Sequence, residues 1–77
     1  MRRLGEVVRA AGGVAVVRSP DESVPAIGTG VVDETLAAVG TVVDVFGPVE
    51  RPYVAVSPAD GVRAISLVGG PVYTREN

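Results

Sequence analysis

The sequence predicts an all-β fold, a small barrel of about six short strands. Three observations carry that reading. Valine is the commonest residue of the 77-residue chain, and its stiff, branched side chain suits a pleated surface better than a helix. Ten Gly and six Pro interrupt the chain at short intervals, as they do in sandwiches and barrels. The longest run free of both, Val31 to Val39, is too short for a dominant helix.

The first strand is expected over Arg3–Ala10, with Leu4, Glu6, Val8 and Ala10 on one face. Ala11-Gly12-Gly13 is a turn, because Gly-Gly supplies the positive φ that a tight hairpin needs. Val14–Arg18 is the second strand, and the polar, proline-bearing stretch from Ser19 to Pro25 is an exposed loop. Thr29–Asp33 forms a short third strand. Val39–Phe46 is the strongest strand, β-branched almost throughout and interrupted only by Gly40 and Asp44. Gly47 to Pro52 connects it to Tyr53–Ser57, where Val54 and Val56 share one face and Tyr53, Ala55 and Ser57 the other. Pro58 to Gly61 turns the chain. Val62–Val68 reads equally as a short helix or irregular structure. Gly69-Gly70 turns it again, and Pro71–Arg75 is the last strand, its proline suiting a strand start. Closing these strands into a barrel would remove exposed valine-rich edges that invite aggregation.

The length is that of one domain, spanning residues 1–77. With no cysteine, apolar packing and a closed hydrogen-bond ladder must hold it together. Met1-Arg2-Arg3 is basic, but Glu6 and Arg9 interrupt what would be the apolar core of a signal peptide. No stretch approaches the roughly 20 apolar residues of a membrane span, so a cytoplasmic protein without membrane contact is expected. The formal net charge of −2 is unevenly spread: residues 1–18 sum to +3 and residues 19–77 to −5. That balance opposes a large phosphate-binding surface, which needs clustered cations; the basic N-terminal stretch reads as a solvated face rather than as the alternative, a nucleic-acid contact. Lysine is absent. Codon bias in a GC-rich genome and adaptation to a high-salt cytoplasm both explain it.

The residues that usually carry chemistry are missing. Without His there is no common general base, serine triad or ordinary zinc site. Without Cys or Lys there is no thiol nucleophile, Schiff base or ammonium phosphate clamp. Gly28-Thr29-Gly30 is not followed by a helix signal or by Gly-Lys-Ser/Thr, so it is no phosphate loop. The adjacent pairs Asp33-Glu34 and Asp21-Glu22 read as solvated charge. Asp44 reads as a rim or loop-facing polar position, or as a side chain that fixes the following turn by hydrogen bonding. No catalytic residue, cofactor, metal or small-molecule substrate is indicated, so the chain reads as a binding protein rather than an enzyme.

The informative segment runs from Gly40 to Pro58, GTVVDVFGPVERPYVAVSP. It holds the only Phe and one of two Tyr around two prolines. Prolines fix φ and lower the entropy cost of a rigid loop, and a rigid loop with apolar tips makes a docking surface. The alternative is that Phe46 and Tyr53 cap the core. For Phe46 the two readings balance; for Tyr53 the core is the better one.

These residues also resemble a known family. Gly40-Thr41-Val42-Val43-Asp44-Val45-Phe46-Gly47-Pro48-Val49, then Pro52-Tyr53-Val54-Ala55-Val56 and Pro58, is similar to the core signature of the archaeal Gar proteins of box H/ACA ribonucleoproteins, the RNA-guided pseudouridine synthases. Arg3-Leu4-Gly5-Glu6-Val7 resembles that family's opening strand, Val31-Val32-Asp33 the segment before the signature, and Val68-Gly69 with Val72-Tyr73 its closing strand.

The resemblance implies a six-stranded barrel of the translation-factor and reductase type. It implies docking on the catalytic domain of a dyskerin-type pseudouridine synthase, through Phe46, Gly47, Pro48, Val49, Pro52 and Tyr53. It further implies help with substrate loading and product release through the synthase's mobile thumb loop, in rRNA processing and ribosome biogenesis. The reacting aspartate then belongs to the synthase. Guide RNA and rRNA are met indirectly, since these residues include no Gly-Arg-rich or basic tail of the kind that carries RNA binding in relatives. The related assembly factor shares the barrel but is much longer, so the compact chain fits the Gar protein better. A stand-alone RNA-binding barrel, with basic grooves and stacking aromatics, and the core of that assembly factor are the alternatives.

Overall fold

The computed structural model describes residues 2–20 and 22–75. Six strands, β1 (Arg2–Ala11), β2 (Val14–Arg18), β3 (Gly30–Val32), β4 (Ala38–Phe46), β5 (Tyr53–Pro58) and β6 (Pro71–Thr74), close into a barrel. Their order around it is β1-β2-β5-β4-β3-β6, and every pairing is antiparallel. The all-β, six-stranded barrel expected from the sequence is the observed fold. β4 and β5 each extend one residue beyond the expected ranges, and β6 ends one residue short of Arg75.

Gly12 and Gly13 join β1 to β2 with φ of 59° and 82°. Two successive positive φ values give the primed turn whose twist matches that of the flanking strands, and Ala11 duly pairs with Val14.

The interior is a valine cluster. Val7, Val17, Val54, Val56 and Val42 are all buried, and the register aligns Val7 with Val17, Val17 with Val54, and Val42 with Val56. Leu4, Ala15, Val31, Val39 and Val72 complete it. Each buried valine removes its side chain from water for about 1.5–3 kcal/mol.

The alternation expected along β1 is not observed. Leu4 and Val7 point into the core, whereas Glu6 and Val8 are exposed. The cause is a pair of irregularities, one between Arg3 and Gly5 against β6 and one between Val7 and Arg9 against β2. Each extra residue flips the inward parity, as bulges do.

Residues 62–68 contain a single helical turn, α1 (Ala64–Leu67). Val62, Ala64 and Leu67 pack against the barrel core and Ile65 faces out. The chain then rejoins β1: Gly69 N–H donates to Val7 O at 2.8 Å and Val7 N–H to Gly70 O at 3.0 Å. In β6, Thr74 is 1% exposed, and its Oγ1 has no hydrogen-bond partner among the described residues.

Candidate functional site

β4 and β5 form a hairpin whose last pair is Phe46 with Tyr53, so the sequence between them is forced into a loop at the barrel rim. Since Val54 faces the core, the strand period of two turns Tyr53 outward. It is half-buried on the outer face, under Phe46, with ring centroids 5.5 Å apart and planes 24° from parallel. Arg18, its partner on β2, places its guanidinium carbon 5.6 Å from the centroid of the same ring. Tyr53 therefore belongs to an external Arg18–Tyr53–Phe46 row and not to the core, which corrects the expectation drawn from its apolar ring. Phe46 is 41% exposed.

The loop is braced from several sides. Gly47 has φ of 90°, a conformation that L side chains rarely adopt, and an added Cβ would lie 2.8 Å from Tyr53 Cδ2. Ser19 N–H donates to Pro52 O at 3.0 Å, tying the loop's end to the end of β2, and Pro52 itself is buried. Between these anchors Val49 is 76% exposed. An apolar side chain on a fixed loop loses little entropy when it meets a partner.

Phe46, Gly47, Pro48, Val49 and Pro52 line one surface concavity of about 220 Å³. The structure thus brings five of the six expected site residues together, with Tyr53 supporting them beneath Phe46. Glu22, Val24 and Val45 also line it and were not anticipated. Val24 sits in the stretch expected to be a polar loop, and the signal the sequence offered was a lone β-branched apolar residue directly before Pro25.

The carboxylates have structural roles. Asp33 Oδ1 accepts from Thr35 N–H at 2.8 Å, Thr35 Oγ1 at 2.6 Å and Ala37 N–H at 3.1 Å. The Thr35 hydroxyl, then the Thr35 amide, hold its carboxyl below the usual range, with desolvation opposing them and the Ala37 amide assisting. Asp44 Oδ1 accepts from the neighbouring Val45 N–H at 2.8 Å, so it serves its own strand rather than the turn. Asp21 lies outside the described residues. Among those described, no three His, Cys, Asp or Glu are grouped to hold a metal ion, and no helix is long and apolar enough to cross a membrane.

The structure is thus a closed valine barrel that presents apolar side chains on a braced rim loop. Comparison with known families places it more closely: the chain belongs to the Gar1/Naf1 family, whose RNA binding region model matches residues 1–77. It is also similar to an H/ACA ribonucleoprotein complex subunit GAR1 from Chaetomium globosum, with 31% identity over 67 residues, 87% of this chain. The match covers 32% of that relative's length, so this chain corresponds to about a third of it.

Proposed function

We propose that this chain is a non-catalytic accessory subunit of a box H/ACA RNA-guided pseudouridine synthase, of the archaeal type its signature resembles, working in the cytoplasm. In this reading it binds the catalytic domain of a dyskerin-type synthase through Phe46, Gly47, Pro48, Val49, Pro52 and Tyr53. It aids substrate loading and product release there, and meets guide RNA and rRNA through the complex. Family membership supports the particle, and the relative named as a subunit of an H/ACA complex supports it further.

The observation that carries the docking site is Val49, 76% exposed on a loop fixed by Gly47, Pro52 and the Tyr53 ring. An exposed apolar side chain already held in place loses little entropy when a partner covers it, and the Phe46 ring beside it adds an aromatic surface to the same rim. A subunit docked this way acts on the reaction by favouring one position of a mobile synthase loop over another, which requires only that its contacts differ between the two. The test is co-purification of the isolated chain with the synthase in the absence of guide RNA. A stable complex is expected; one that forms only after RNA is added contradicts the reading.

A further inference from the structure

A second concavity, of about 300 Å³, adjoins the Arg18 end of the Arg18–Tyr53–Phe46 row. Arg3 from β1, Arg18 from β2 and Arg51 from the β4–β5 loop line it, with Glu6, Gly5 and Val8. Three arginines against one glutamate give it a local charge of +2 in a chain whose net charge is −2. The strand register joins it to the docking rim: Glu6 pairs with Arg18, Arg18 with Tyr53, and Tyr53 with Phe46. Arg51 stands two residues after Val49 in the same loop.

We infer that this cleft receives an acidic segment of the synthase, whose carboxylates meet Arg3, Arg18 and Arg51. The inference rests on the docking reading above and extends its interface from the apolar rim into the charged cleft. Guanidinium forks bind carboxylates through two parallel hydrogen bonds. Arg18 is positioned at this cleft by Tyr53, whose ring centroid lies 5.6 Å from its guanidinium carbon, within the reach of a cation–π contact. Continuity with the apolar rim favours a protein occupant, since one partner surface can cover both. The chain's acidic balance disfavours a long run of phosphates, which would need more clustered cations than these three. Charges so placed set the rate and orientation of docking, while Val49 and Phe46 hold the complex.

The test uses the whole chain and the full synthase without guide RNA. The double variant R3Q/R51Q leaves the Arg18–Tyr53 contact in place and removes two surface cations, so the barrel's melting temperature should not change. Its affinity for the synthase is expected to fall about tenfold in 50 mM salt. The difference from wild type should vanish in 1 M salt, where charges are screened within roughly 3 Å. Glu6→Gln, which removes the repelling carboxylate, is expected to tighten the low-salt complex a few-fold. If R3Q/R51Q binds the synthase like wild type at low salt, the cleft is not part of the interface and the inference fails, while the apolar docking reading stands. If the wild type does not bind the synthase at all, the docking reading itself fails. If the double variant keeps the synthase but loses a fluorescent oligouridylate that the wild type binds, the cleft is an RNA site and the inference is overturned.

Discussion

Phe46 and Tyr53 are cross-strand partners, and their rings stack at 5.5 Å on the outside of a barrel whose inside is almost entirely valine. The chain's only Phe is thus spent on the surface. Full burial in the core would have been worth at most about 1.5–3 kcal/mol to a domain of this size. On the docking reading proposed above, that placement presents the ring to the partner.

Gly47→Ala tests how firmly the pair is set. The substitution imposes a left-handed backbone cost of about 1–2 kcal/mol and drives a methyl group against the Tyr53 ring. Denaturant unfolding should show at least that loss of stability. Near-ultraviolet circular dichroism should show a changed tyrosine environment.

The β3–β4 turn should respond to acid. Asp33 gathers three donors and its carboxyl titrates below the usual carboxylate range. A depressed folded value stabilises the protein above the unfolded value of about 4 and is lost as pH falls through the folded one. Asp33→Asn should therefore lower stability at neutral pH and flatten the stability profile below about pH 4. The neighbouring Leu36, at φ of 69°, should become more protected from hydrogen exchange in wild type than in the variant.

Thr74 gives the opposite sign from an ordinary core substitution. Its buried Oγ1 is unpaired among the described residues, and a buried hydroxyl without a partner costs about 1–3 kcal/mol. Thr74→Val keeps the shape and removes that cost, so thermal melting should show a neutral or stabilising effect of up to about 1 kcal/mol.

The strands that set the site were legible because β4 and β5 are short, β-branched and bounded by Gly and Pro. Strand alternation alone points Tyr53 outward, because Val54 and Val56 fall on the opposite face and both are buried. The ring's size argued for the core and lost to the strand's parity. The inward set of β1 was not legible, because bulges near Gly5 and Val8 depend on pairing with two different neighbours. The cleft was hidden for a similar reason. Arg3, Arg18 and Arg51 meet only once β1, β2 and the β4–β5 loop are brought side by side, and no local spacing announces that.

Salt should separate the two parts of the interface. A complex held by apolar docking with a few ion pairs weakens modestly between 50 and 200 mM salt, far less than the ~10³-fold expected for many phosphate contacts. Titration of the synthase across that range checks this, and a loss of the larger size would assign the complex to phosphate binding.

Val49→Asp addresses the docking site itself, measured as affinity for the full synthase without RNA, alongside the melting temperature of the free chain. Val49 is 76% exposed, so the free barrel should keep its stability within about 0.5 kcal/mol. In the complex the new carboxylate would be buried without a partner, and binding should weaken by about 3–5 kcal/mol. A variant that stays folded and binds the synthase as tightly as wild type would contradict docking through this loop.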